Sequence, residues 1–132
     1  MDFTELQQEL DDDMDLNEMC LPSKLLRIPN LHNKYMRYLF RESNRLIIMQ
    51  EKSRELYRDL WYHYKNNHDF LLEKKEIMWH VESDTKYTKI LTKLKKQENL
   101  VDFFERAVKK CNTISFDIKN IIEYKKFMAG IV

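Results

Sequence analysis

From Thr85 onward the apolar residues recur at helical steps. One row at seven-residue spacing reads Tyr87, Leu94, Val101, Val108, Ser115 and Ile122. A second reads Ile90, Gln97, Phe104, Cys111, Ile118 and Lys125. Two such rows form the seam by which a helix packs on one partner. A third row, Leu100, Ala107, Ile114, Ile121 and Met128, begins only at Leu100, so the C-terminal half carries a wider apolar face. One antiparallel helix covers a narrow stripe but not three rows. In a chain this short the second surface is expected to come from another subunit. Ser83 or Asp84 can cap this helix, and Gly130, the single glycine, stands where a helix stop belongs. The pattern predicts a helix over 85–128.

The same reading applies upstream. Tyr35, Met49, Leu56 and His63 share a row interrupted by Glu42, and Leu39, Leu46 and Leu60 share one interrupted by Ser53. Together they predict a helix from Leu31 to about Tyr64, capped by Asn30 and about 50 Å long at about 1.5 Å per residue. Asn66-Asn67 is the expected break. Pro22 and Pro29 should bound an irregular connector, because each disfavours a helical conformation in the residue before it. Asp2-Phe-Thr-Glu5 has the spacing of a capping box, with Phe3, Leu6 and Leu10 on one face of a short helix near 3–11. Within 68–83, Asp69 to Glu76 suits a helix. Ile77, Trp79 and Val81 alternate with Met78, His80 and Glu82, which suggests a short extended segment. The expected architecture is all-α: an elongated helical hairpin with a short N-terminal helix, forming a single domain over 1–132. A hairpin buries little surface per residue, and oligomerisation is a common remedy.

Composition narrows the picture. One glycine and two prolines in 132 residues argue against a β fold rich in turns. With 43% hydrophobic and 34% charged residues, the chain is too apolar for disorder and too charged for a membrane protein. No stretch approaches the roughly 20 apolar residues of a membrane span, and the acidic N-terminus lacks a signal-peptide pattern. A cytosolic protein is expected. Cys20 and Cys111 are expected to be reduced, with a disulfide as the alternative. The net charge of +1 conceals a split. Residues 1–20 carry 8 of the 22 acidic residues and no Lys or Arg. The basic remainder suits nucleic acid. The acidic segment can dock on a partner, shield the basic face or simply be solvated.

Catalytic chemistry is poorly represented. His32, His63, His68 and His80 are scattered, and none pairs with Cys or a carboxylate at metal-ligand spacing. His63 falls on a seam row, as a satisfied helical histidine would. Asp11-Asp12-Asp13 has no companion carboxylate cluster placed nearby by sequence. There is no Gly-rich phosphate loop, and Cys111 reads as a small core residue. No catalytic residue, metal or cofactor is expected.

Binding chemistry is better represented. From Ile48 to Lys65, the cations Lys52, Arg54, Arg58 and Lys65 are interleaved with Tyr57, Trp61, Tyr62 and Tyr64. Cations meet phosphates and flat rings stack on unpaired bases, so this segment is the candidate site for single-stranded nucleic acid. Two basic stripes accompany it: Lys34, Arg37, Arg41, Arg45 and Lys52, and Lys86, Lys89, Lys93 and Lys96. The alternative for the first stripe is a salt-bridged surface, since Glu42, Glu51 and Glu55 lie close by.

The chain resembles the UvsY-type recombination mediators of T-even-like phages. Leu6-Gln-Gln-Glu-Leu10 is similar to the opening of that family. Ile118-Lys-Asn-Ile-Ile-Glu-Tyr-Lys-Lys-Phe-Met-Ala-Gly130 is similar to its ending. Leu56-Tyr-Arg-Asp-Leu-Trp-Tyr62 lies where the family carries a Leu, two alternating basic residues, a Leu and a Tyr pair. The resemblance implies a non-enzymatic protein that binds single-stranded DNA as a ring-like homo-oligomer. It also implies contacts with a single-stranded-DNA-binding protein and a RecA-like recombinase, and a phage protein acting in the host cytoplasm. The family's basic positions fall here on Tyr57 and Asp59, with Arg58 between them. The implied DNA contacts therefore move to Arg58, Lys52, Arg54 and Lys65, or rest more on stacking by Tyr57 and Trp61, beside Tyr62. The resemblance assigns oligomerisation to the C-terminal helix, here Val101, Phe104, Val108, Ile114, Ile118 and Ile121. Acidic segment 1–20, DNA-binding helix 31–65 and oligomerisation helix 85–128 complete the expectation.

Overall fold

The computed structural model describes residues 2–15, 21–67 and 72–130. These residues form four helices and no strand: α1 (Phe3–Asp13), α2 (Leu21–Asn66), α3 (Lys74–Ser83) and α4 (Thr85–Met128). The all-helical class and the span of α4 agree with the sequence pattern. The chain forms two compact units, residues 1–40 with 102–132, and residues 41–101.

Two expectations are corrected. Residues 21–30 are not an irregular connector, because α2 begins at Leu21 and runs for 46 residues with Pro29 inside it. Pro22 sits in the first turn, where its missing N–H costs no hydrogen bond. Pro29 removes an interior bond and crowds the preceding turn, at a cost of about 3 kcal/mol. Burial of Ile28, Leu31 and Tyr35 around it offsets that cost. The second correction concerns Ile77, Trp79 and Val81. They lie in helix α3, with Ile77 and Val81 buried one turn apart and Trp79 65% exposed on the opposite side. Residues 68–71 of that segment, and Leu16 to Cys20 of the acidic one, lie outside the described residues.

In the unit of residues 1–40 and 102–132, the core combines three helices. Leu6, Leu10 and Met14 come from the α1 end, Ile28, Leu31 and Tyr35 from α2, and Phe104, Ala107, Cys111, Ile114 and Ile118 from α4. The Phe3 ring meets Phe103 edge-on at 5.1 Å, and Tyr38 meets Phe104 at 5.3 Å. Ala107 and Ile114 of the third row are thus buried by the chain itself. α1 supplies the second surface that the sequence pattern left to another subunit. Asp2 caps α1 by accepting from the Thr4 N–H.

Charge fixes how α1 sits. The Lys34 ammonium lies 2.6 Å from Glu9 and 2.7 Å from Asp13, and the Tyr35 hydroxyl donates to the same Asp13 oxygen at 2.7 Å. Burial and then the Asp13 hydrogen bond push the Tyr35 phenol far above its ordinary value. Burial alone would lower Lys34, but its bonds to Asp13 and Glu9 outweigh that and hold it raised.

In residues 41–101, α2 and α4 pair in antiparallel fashion. Tyr57 meets Tyr87, and Glu42 meets Gln97. Glu42 and Gln97 are the polar interruptions of their two apolar seams, and here they face each other. The Glu42 carboxylate, 3% exposed, accepts from Gln97 at 2.8 Å, Arg45 at 2.9 Å and Arg41 at 3.2 Å. Gln97 also donates to the Glu42 backbone carbonyl at 2.9 Å. The other interruption, Ser53, is satisfied by the Gln50 carbonyl. Among the described residues no buried side-chain nitrogen or oxygen lacks a partner.

Gln97→Leu removes the main donor to a buried carboxylate and is expected to destabilise the chain by about 1–3 kcal/mol in urea unfolding. Adding Glu42→Leu should recover part of that loss, since an apolar pair of similar volume replaces a buried charge without leaving it stranded. Tyr35 is raised in the fold, so its contribution is present below pH 10 and is lost as pH climbs towards the folded value. Melting temperature should therefore fall above pH 10, and fall less steeply in Tyr35→Phe.

Candidate nucleic-acid interface

The segment singled out in the sequence lies in the unit of residues 41–101. Helical geometry sorts its side chains into two sets. Arg54, Arg58, Tyr62 and Lys65 follow one another at steps of three and four along one exposed face of α2. Tyr62 is 55% exposed. Among the described residues Arg58 has only the adjacent Asp59 for an ion pair, at 3.6 Å with both side chains mostly in solvent, an arrangement of little energetic consequence. Lys52 is exposed beside Glu55 and Asp59 rather than on the arginine stripe.

The other aromatics point inward. Leu60, Ile77 and Val81 form a small core, with Tyr57, Trp61, Tyr64 and Tyr87 packed against it. Tyr57 lies 5.4 Å from Tyr87 edge-on and 6.4 Å from Trp61 nearly parallel. Trp61, half-buried, borders the basic stripe, with Arg58 one turn before it and Lys65 one turn after it. Tyr57 is thus largely engaged with protein, and Trp61 offers one edge. His63, expected in the seam, is exposed and hydrogen-bonded to Asn67; the core has rotated on to Tyr64.

Tyr64 ties three elements together. Its hydroxyl donates to Asp84 at 2.6 Å, its ring stacks on His80 at 5.3 Å, and Asp84 caps α4 by accepting from the Lys86 N–H at 2.8 Å. The Tyr64 bond, and then the backbone N–H groups of Lys86 and Tyr87, hold the Asp84 carboxyl below its usual value against the opposing effect of burial. The same bond raises Tyr64.

The first basic stripe expected from sequence is partly consumed. Lys34 is bound by Glu9 and Asp13, and Arg41 and Arg45 attend Glu42. The salt-bridged alternative describes those three residues. Lys86, Lys89, Lys93 and Lys96 are exposed on α4 and make no ion pair among the described residues. Residues 41–101 carry 13 basic and 10 acidic side chains, whereas the other unit carries 10 and 12. The positive balance lies with the aromatic segment.

The proposed assembly residues lie in α4. Val101, Phe104, Ile114 and Ile118 are buried in the single chain, and Val108 and Ile121 are half-buried. Phe116, Tyr124, Phe127 and Met128 stand outside, each about two-thirds exposed. Met128 ends the third apolar row, whereas Phe116, Tyr124 and Phe127 fall outside all three rows.

Other chemistry is sparse. Among the described residues no group of His, Cys, Asp or Glu is placed to hold a metal ion, and no helix is long and apolar enough to cross a membrane. A cleft of about 500 Å³ lies between α2 and α4, lined by His32, Asn33, Asn112, Ser115 and Lys119 with Leu25, Ile28 and Pro29. Cys111 is free and buried, and burial raises its thiol.

The geometry agrees with known folds. The chain is similar to the crystal structure of the bacteriophage T4 recombination mediator protein UvsY in lattice type IV, at a TM-score of 0.88 and 19% identity over 97% of this chain and 99% of that one. The type II lattice gives a TM-score of 0.84 and 21% identity over 98% of each. At these identities the likeness establishes the fold. A search of curated proteins by sequence gives no match. The family profile described as "Recombination, repair and ssDNA binding protein UvsY" matches residues 9–131, and the chain therefore belongs to the UvsY family.

Proposed function

We propose that this chain is a non-enzymatic recombination mediator of a phage, acting in the host cytoplasm. It holds single-stranded DNA and helps a RecA-like recombinase replace the single-stranded-DNA-binding protein on the strand. Family membership over residues 9–131 is the observation that carries this reading. The exposed Arg54–Arg58–Tyr62–Lys65 face supports its placement. Guanidinium groups fork on to phosphate, and a tyrosine between them can stack on a base. Lys52 and the half-buried Trp61 border this face, and Tyr57 backs it. Contacts of this kind bind in a salt-sensitive, sequence-tolerant way.

The chain acts as a homo-oligomer in this reading, and holding one strand on several subunits raises avidity. The C-terminal half of α4 is the proposed assembly surface. Its inner rows, Val101, Phe104, Ile114 and Ile118, already serve the chain's own core. Val108 and Ile121 at the edge, with the exposed Phe116 and Phe127, are left to meet a second copy. Phe116 and Phe127 lie about three turns apart on one side of α4, each about two-thirds exposed.

Labelled oligonucleotide titrations test the DNA reading. Binding is expected at low salt, and its absence would leave a helical scaffold that contacts proteins only. Replacing Arg54 and Arg58 together by Ala should weaken binding and flatten the salt slope by about 1.4, since single strands give about 0.7 per phosphate contact. An unchanged slope places the phosphates elsewhere. Light scattering at micromolar concentration is expected to return a multiple of the 16.3 kDa chain mass. Phe116→Asp with Phe127→Asp should lower that mass while circular dichroism keeps its helical signal, because both side chains are exposed.

A further inference from the structure

The second tryptophan is a large side chain of residues 41–101 that the packing leaves unused. Trp79 is 65% exposed on a helix of only 10 residues. The opposite side of that helix buries Ile77 and Val81, so Trp79 contributes little to the core. A solvent-facing indole normally marks a contact, because its large apolar faces are costly in water. This indole is also held in place. It meets the His80 ring edge-on at 5.1 Å. His80 lies flat against Tyr64, and Tyr64 is fixed by its 2.6 Å bond to Asp84. The ladder orients the indole and, among the described residues, leaves its outer face open.

The surroundings suit a base better than a phosphate. Lys75 lies one turn before Trp79 on the same face, while Glu76 and Glu82 flank it. One cation against two carboxylates leaves a net charge of −1, which gives no attraction for a phosphate but does not hinder stacking, whose strength comes from the π-face. We infer that Trp79 is a stacking platform for an unpaired base of a single strand, on α3 rather than on the basic helix α2. The inference rests on the DNA-binding reading above and adds a second element to that site. A strand bound this way gains affinity at α3 without adding to its salt dependence.

Two measurements test it together. Anisotropy of a labelled oligothymidylate reports binding. Tryptophan emission of Trp61→Phe, in which Trp79 is the single tryptophan, reports the indole. Emission should be quenched in step with the anisotropy change. Trp79→Ala should lose about tenfold in affinity with an unchanged salt slope, and Trp79→Phe should retain most of it. Trp79 lies outside the core, so circular dichroism and melting temperature should match the parent. If the parent binds but Trp79→Ala binds equally well, or Trp61→Phe binds and its Trp79 emission does not respond, the inference is overturned and the indole belongs to a protein contact. If the parent does not bind at all, the proposed function falls and the inference with it.

Discussion

A buried carboxylate tolerates very few surroundings. Glu42 is almost wholly removed from water, and it needs donors at fixed positions. Gln97 supplies one to the carboxylate and one to the backbone carbonyl of the same residue, so α4 can meet α2 in residues 41–101 at one register only. Shifting α4 by one turn would put an apolar side chain against the charge. The apolar rows on either side permit several registers, because one leucine resembles the next. The polar layer therefore selects among pairings that hydrophobic burial leaves nearly equal. The Tyr57–Tyr87 contact further along the pair keeps the same alignment.

Much of the fold was legible because helical periodicity is a local signal. The span of α4 and the buried identities of Phe104, Cys111 and Ile118 came directly from seven-residue rows. Those rows failed where their geometry predicts failure. A straight helix drifts about 20° per heptad, so a row begun at Tyr35 has left the core by His63, and Tyr64 takes its place. Lys125 and Met128 end up exposed on α4 for the same reason. Pro29 was misread because its cost is local, whereas the burial of Ile28, Leu31 and Tyr35 that outweighs it is not. α3 was misread because Ile77 and Val81 are one helical turn apart and also two strand steps apart. Over five residues the two periods coincide.

The candidate site was legible as a composition but not as a surface. Sequence shows that aromatics and cations alternate between Ile48 and Lys65; it does not show which of them the core claims. Tyr57 and Tyr64 went to the core, Trp61 to its edge, and Tyr62 to solvent with the arginines. Long-range ion pairs made similar choices among the cations. Lys34 is bound by acids more than twenty residues earlier in the chain, a pairing that spacing along one helix cannot reveal. The acidic start of the chain likewise has a structural task, since Glu9 and Asp13 hold α1 in place.

Pro29 has a mechanical consequence. Its missing N–H leaves the backbone ladder of α2 open at one position, on a side of the helix that faces solvent. Bending resistance in a helix comes largely from that ladder, so the turns before Pro29 form the most compliant stretch of α2. Beyond it the helix runs without a proline to Asn66. The basic stripe thus lies on proline-free helix, and the gap in the ladder falls well before it.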